Sequence, residues 1–310
     1  MDKIAITTGD PNGIGAEITI KALRKLDLPA EKIVLISNSA VLDFYGKLDK
    51  DYEIIEIPFD ASNIKPGEIT RHAGEFSYQS LKTVCELNPK AIVTAPVAKN
   101  ALHLAGHKYN GQTEILQKFL AQDNQLAEML FTAGGFRVLL LTRHCALKDI
   151  NFTKELVVTK IKNLKQTFET HFGIKSPKFA LCGFNPHAGE DGILGREEID
   201  ILIPAVHELR QSGIDITNPL PADTLFVKAA KNYFAGEKDE FDCYIANYHD
   251  QGLIPIKTVA ADKTVNTTIG LNIIRTSPGH GTAFDIAGKN IANEEGMISA
   301  IKAAMNFAGI

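Results

Sequence analysis

Seven short runs rich in β-branched and other apolar residues recur along this 310-residue chain: KIAITTG, KIVLIS, EIIEI, AIVTAP, FRVLLLT, KFALCGF and DCYIANY. Amphipathic stretches lie between them, among them AEITIKALRKL, FSYQSLKTVCEL, TKELVVTKIKNLKQTFETHF and EEIDILIPAVHELRQ. This alternation constrains the fold more than any other feature. Strands that are nearly continuous in apolar residues suit a sheet covered on both faces, and strands that alternate with helices suit parallel pairing. The expectation is an α/β protein with largely parallel sheets flanked by helices. The length is generous for one core, so two lobes are expected. No internal repeat and no Pro/Ser-rich linker is present, so a second lobe must arise from the chain crossing over and back.

The bulk numbers narrow the partners. Hydrophobic residues make up 45% and charged residues 23%, as in soluble globular proteins. A net charge of −4 with no basic cluster gives no reason to expect nucleic acid, while local lysines and arginines could still hold a small anion. Cys85, Cys145, Cys182 and Cys243 form no C-x-x-C pair, which argues against a disulfide framework or a thiolate zinc site and suits a reducing compartment. MDKIAITTGDPNG reaches a Gly-Asp-Pro turn too soon for a signal peptide, and no apolar run approaches the roughly 20 residues of a membrane span. A cytoplasmic protein without membrane partners is expected.

Polar residues gather after the strand-like runs, in TTGDPNG, TAPVAKN, TRHC, GFNPHAGEDG and NYHDQG. Loops at the carboxyl ends of strands form the ligand rim of open α/β sheets. Three of the nine histidines share that address: His144, His187 and His249. Neutral imidazole is the commonest metal ligand, and three of them leave positions open for substrate on a Lewis-acid metal. Asp250, Asp223 and Glu190 are nearby carboxylates able to orient a ligand or move a proton. Strand-end histidines bonded to backbone carbonyls are an equally good account of the spacing. His171 and His207 lie on helix-like stretches, and His103 and His107 lack the glutamate of a zinc-protease helix, so these four read as surface or packing residues.

Three segments could meet an anion. GDPNGIGAE could point backbone N–H groups outward, although a tight strand-to-helix turn explains it as well; it is neither a P-loop nor G-x-G-x-x-G. YNGQTEILQKFL places Gln112 and Thr113 at a helix start, where Thr113 could cap the helix or hold an anion. Lys257, Asn266 and Arg275 follow at nine-residue intervals, the arginine offering a bidentate fork and the lysine a mobile charge.

Together, TTGDPNGIGAEI, TAPVAKNAL, GQTEIL, FNPHAGEDGILGREE, PADTLF, YHDQGL and RTSPGHGTAFDIAG resemble, in order, the motifs of the 4-hydroxythreonine-4-phosphate dehydrogenases of pyridoxal phosphate biosynthesis. More broadly, GDPNGIGAE and HGTAFDIAGK resemble segments of isocitrate and isopropylmalate dehydrogenases, which bind NAD(P) without a standard Rossmann fold. The resemblance implies a two-lobed isocitrate/isopropylmalate dehydrogenase-like fold with the active site in the interlobe cleft. The lobes expected are 1–130 with 266–310, on the cofactor side, and 131–265, with the metal site and dimer interface. It implies that His144, His187 and His249 bind one divalent metal (zinc, cobalt or magnesium), and that Gln112, Thr113, Lys257, Asn266 and Arg275 bind the phosphorylated hydroxyamino acid. Asp250, Lys257 and Asp223 are the candidates for proton transfer; His280, Gly281, Thr282 and Asp285 are those for the adenosine side of NAD or NADP. A homodimer with shared active sites is implied, His249 reaching the neighbour's metal. One departure stands out: Gln112 occupies a position where many family members carry histidine, so a positive charge is absent there. The implied reaction oxidises 4-phosphooxy-L-threonine at C3, and the β-keto acid then loses carbon dioxide. A metal-dependent hydrolase and a phosphometabolite sensor are the rival readings.

Overall fold

The structure, a computed structural model, describes residues 1–122 and 125–310. Along them run the strands β1 (Ile4–Thr7), β2 (Ile33–Ser37), β3 (Glu53–Glu56), β4 (Ala91–Thr94), β5 (Glu128–Ala133) and β6 (Phe136–Leu140). They continue with β7 (Lys178–Leu181), β8 (Asp215–Ile216), β9 (Cys243–Ala246), β10 (Val265–Ile269) and β11 (Arg275–Pro278). The helices are α1 (Gly15–Leu26), α2 (Ser39–Tyr45), α3 (Arg71–Glu86), α4 (Lys99–Leu104) and α5 (Gln112–Leu120), then α6 (Lys154–His171), α7 (Ile203–Gln211), α8 (Ala222–Ala235), α9 (His249–Ala260) and α10 (Glu295–Ala308). The α/β architecture with largely parallel strands flanked by helices is the one the alternation implied, and all seven strand-like runs form strands.

The chain divides into two compact units, Met1–Ala127 with Val265–Ile310 and Glu128–Thr264. In the first, the strands lie in the order β3-β2-β1-β4-β11-β10. Neighbours are parallel except β10 and β11, which pair as an antiparallel hairpin. Ile4, Ile6, Leu35 and Val93 are fully buried against Ile18 and Leu23 of α1 and Met297 and Ile301 of α10. Burial of such side chains stabilises by about 1.5–3 kcal/mol each. In the second unit the order is β5-β6-β9-β7-β8, parallel except for the β5–β6 pair. Val138, Leu140, Tyr244 and Ala246 there pack against Leu253 and Ile256 of α9. Among the described residues no helix is long and apolar enough to cross a membrane.

One local expectation needs correction. Tyr-His-Asp-Gln-Gly is not a loop turned by glycine: His249 opens α9, and Gly252 lies inside it. A Cβ on Gly252 would stand 2.6 Å from Leu140 Cδ2 and 2.9 Å from Val138 Cγ1, so the glycine lets the helix sit close on the sheet. The nine-residue spacing of Lys257, Asn266 and Arg275 spans three elements. Lys257 lies on α9, whereas Asn266 and Arg275 lie on β10 and β11.

Candidate active site

In the second unit, the chain leaving β6 runs beside the chain leaving β9. Leu141 N donates to Ala246 O at 2.8 Å, and Thr142 Oγ1 donates to Asn247 O at 2.7 Å. Fully buried Asn247 donates through Nδ2 to Cys182 O at 2.8 Å, and Gln251 Nε2 donates to Gly183 O at 2.7 Å, which ties the end of β7 to the same place. The carboxyl ends of β6, β9 and β7 are thus fastened into one block. On it stand His144 and His249, their ring centroids 5.6 Å apart. His249 Nδ1 is 2.7 Å from Asp250 Oδ1, the contact by which a carboxylate fixes an imidazole's tautomer and leaves Nε2 outward.

That pair fits a metal in part. With metal–nitrogen bonds of about 2.0–2.1 Å, two imidazoles on one tetrahedral ion have centroids roughly 5 Å apart. His187 does not join them: among the described residues no group of three or more His, Cys, Asp or Glu side chains is placed to hold a metal. Its imidazole is 69% exposed, with Nδ1 3.9 Å from Glu190 Oε1. The backbone beneath it is unusual. His187, Ala188, Gly189, Glu190 and Asp191 have φ values of 54°, 54°, 82°, 45° and 54°, a left-handed turn. Four of the five are not glycine, and each costs roughly 1–2 kcal/mol in that conformation. Strain of this kind persists where the surroundings impose it, and it marks functional segments. Asp223, in the first turn of α8, and Lys257, near the end of α9, are exposed.

In the first unit the polar groups around Arg275 are buried or half-buried. Register pairs Asn266 with Ser277 and Thr268 with Arg275, so Asn266, Thr268 and Arg275 share one face of the hairpin. Arg275 is 3% exposed; its Nε donates to Thr94 Oγ1 at 2.7 Å and its Nη1 lies 3.4 Å from Thr268 Oγ1. Burial pulls the guanidinium down to about 9, partly opposed by the Glu114 carboxylate. A buried cation whose hydrogen bonds go to neutral hydroxyls gains strongly from an incoming anion. Asn266 Oδ1 and Gln112 Oε1 are buried with no hydrogen-bond partner among the described residues, and Gln112 Nε2 donates to Ala95 O at 3.1 Å. Thr113, 8% exposed in the first turn of α5, does not cap it: Gly111 holds the cap position and no side chain bonds there.

The GDPNG turn is a joint and not an anion cradle. The amides of Asp10, Asn12, Gly13 and Ile14 donate to Pro96 O, Asp10 Oδ1, Asp10 O and Thr282 O respectively. The last bond brings the His280–Asp285 segment onto the start of α1, and a Cβ on Gly13 would stand 3.1 Å from Thr282. His280, Gly281 and Asp285 stay exposed beside it. Asp10 went unnoticed in the sequence, where Gly-Asp-Pro reads as turn punctuation. It is fully buried, and burial pushes its carboxyl up to about 6, partly opposed by the backbone amides of Asn12 and Ala98. A 540 Å³ cavity in the second unit, lined by Phe136, Arg137, Asp239 and Asp242, contains none of the expected site residues. It lies where β6 and β9 begin, while His144 and His249 lie where they end.

The chain is similar along its length to proteins named as 4-hydroxythreonine-4-phosphate and as D-threonate 4-phosphate dehydrogenases. It is 38% identical over 328 residues to the 4-hydroxythreonine-4-phosphate dehydrogenase of Sulfurihydrogenibium sp. strain YO3AOP1, covering 98% of each. It is also 38% identical over 332 residues to a protein of Oceanobacillus iheyensis named as a D-threonate 4-phosphate dehydrogenase, covering 98% of this chain and 97% of that one. The crystal structure of the Klebsiella pneumoniae 4-hydroxythreonine-4-phosphate dehydrogenase superposes with a TM-score of 0.86 at 34% identity, covering 99% of both chains. Isocitrate dehydrogenase from Methylococcus capsulatus, at 15% identity and a TM-score of 0.51 over 98% of this chain and 85% of that one, shares the fold alone. Residues 6–304 match the family model of the pyridoxal phosphate biosynthetic protein PdxA, and the chain belongs to that family.

Proposed function

We propose that the chain oxidises 4-phosphooxy-L-threonine at C3 with NAD or NADP and a divalent metal. The β-keto acid formed, 2-amino-3-oxo-4-phosphooxybutanoate, decarboxylates to 3-amino-2-oxopropyl phosphate, a step toward pyridoxal 5′-phosphate in the cytoplasm. The observation that carries this reading is the full-length likeness to the Sulfurihydrogenibium dehydrogenase. When bound, zinc, cobalt or magnesium supplies a Lewis acid that eases loss of the alcohol proton, and the nicotinamide accepts the hydride.

The residues of the chain do the rest. Arg275 takes the phosphate, with the amide N–H₂ groups of Asn266 and Gln112 and the Thr113 hydroxyl donating to it; the buried oxygens of Asn266 and Gln112, which can only accept, suit the ammonium and hydroxyl donors of the same substrate. Gln112 donates without adding charge, which leaves Arg275 the chief cation of that set. Lys257 supplies a mobile second charge. His144 and His249 offer two metal corners, and Asp250 holds His249 in one tautomer. Asp250, Asp223 and Lys257 are the groups able to exchange a proton with the substrate. His280, Gly281, Thr282 and Asp285 face the adenosine side of the cofactor. The sequence resemblance puts His249 across a dimer interface; with the His144 and His249 rings 5.6 Å apart in one chain, His187 is instead the imidazole that a homodimer would add to complete the metal site.

The Oceanobacillus relative favours a second reading, D-threonate 4-phosphate, which differs at C2 by carrying a hydroxyl where the threonine has an amine. Purified chain supplied with either compound, each nicotinamide and zinc or cobalt distinguishes them. Nicotinamide reduction with the amine, abolished by a chelator and restored by metal, is the expected result. Faster reduction with D-threonate 4-phosphate would move the assignment to the second reading, and release of inorganic phosphate without reduction would leave a hydrolase.

A further inference from the structure

The left-handed turn that carries His187 is held from below by one buried carboxylate. Glu198, 2% exposed, opens a π-helical turn at Glu198–Leu202 and reaches back to a single residue. Its Oε1 accepts from Asn185 N at 2.8 Å, and its Oε2 accepts from Asn185 Nδ2 at 2.9 Å. Glu197 Oε2 accepts from the same Nδ2 at 2.6 Å. Three glycines let the backbone close around this contact. A Cβ on Gly189 would stand 2.6 Å from Glu198 Oε2, one on Gly195 2.4 Å from Asn185 Nδ2, and one on Gly183 2.8 Å from Ala188 Cα. Further bonds from Ala188 N to Asn185 O and from Leu194 N to Gly189 O, each 3.1 Å, fasten both ends of the turn.

Asn185 lies two residues before His187, so whatever fixes its backbone and side chain fixes where the imidazole projects. We propose that Glu198, acting through Asn185, is the positioning residue for His187, holding the strained turn in the conformation from which that imidazole binds metal. The proposal rests on reading His187 as a ligand. A carboxylate is required because both of its oxygens accept. A glutamine at the same place turns an N–H₂ donor against one of the two donors of Asn185. Partners that orient a metal ligand typically change metal affinity about 10–100-fold when altered.

The test compares Glu198→Gln, Asn185→Ala and His187→Ala in the full chain. The readouts are zinc affinity by competition with a chromophoric chelator, cobalt absorption in the visible, and amide exchange across 186–195. Glu198→Gln is expected to weaken zinc binding about tenfold or more. It should also alter the cobalt spectrum and speed exchange in that segment while the melting temperature stays near that of the native chain. Asn185→Ala should reproduce it from the other side of the contact. Excess zinc should restore nicotinamide reduction to Glu198→Gln and not to His187→Ala. Unchanged zinc affinity in Glu198→Gln and Asn185→Ala would overturn the proposal. So would a loss that only follows the fraction of protein unfolded. Native zinc affinity in His187→Ala would instead remove His187 as a ligand, and faster exchange in Glu198→Gln would then show a clamp without a metal to serve.

Discussion

The surroundings of Arg275 and of His187 solve opposite problems. Arg275 is buried between Thr94 and Thr268 on a hairpin, its charge kept from water before any ligand arrives. His187 is exposed, and there the constraint lies in the backbone, through five successive left-handed residues. A buried cation without a carboxylate partner is costly and recovers that cost only from an anion, so this place selects by charge. An exposed imidazole is cheap to maintain, but its direction must be set by the turn beneath it. One region is prepared electrostatically and the other geometrically.

Damage to the imidazole region should strike turnover hardest. His249→Ala removes one corner of the proposed metal set and strands Asp250. A Lewis-acid effect of several kcal/mol corresponds to a kcat loss of about a thousandfold, checked by steady-state kinetics at saturating zinc. The Arg275 region should respond in KM. Arg275→Lys keeps the charge and loses the fork, and a KM rise of roughly 10–100-fold with a smaller change in kcat is expected. Equal effects of both variants on kcat would erase the distinction.

Gly252→Ala probes the seat of α9. Its new methyl meets Leu140, Val138 and Ala246, and overpacking there should cost up to about 3 kcal/mol in urea denaturation. Asp10→Asn probes the first unit and should stabilise. The Asp10 carboxyl is raised from 3.8 to about 6 on folding, so the folded state binds more protons and stability falls as pH rises from about 4 to 6. At pH 7 the variant should gain about 2 kcal/mol or less, shrinking toward zero near pH 4, by urea midpoints at both values. A gain independent of pH would mean that Asp10 is not charged at a cost in the native protein.

Where the sequence was silent, the reason is physical. Strands built from Ile, Val, Leu and Ala announce themselves, but β10 and β11 read VNTTI and RTSP, their buried faces filled with threonine, serine and a charge. The hairpin that unites Asn266 with Arg275 therefore could not be seen, although both residues were singled out. His249 reads in sequence as a strand-end loop histidine although it opens α9, because Gly252 looks like a turn and acts as a spacer. Asp10 and Glu198 were missed because nothing local reveals a carboxylate that the fold will bury. The left-handed turn gave no sign either, since in Pro-His-Ala-Gly-Glu-Asp the glycine alone adopts it without strain.

Anomalous diffraction at the zinc edge, from a crystal of the full chain grown with zinc, tests the division most directly. The result expected is a peak within about 2.0–2.1 Å of the imidazole nitrogens of His144 and His249, and none beside Arg275. No peak between those two imidazoles at saturating zinc, with the metal bound elsewhere, would contradict it.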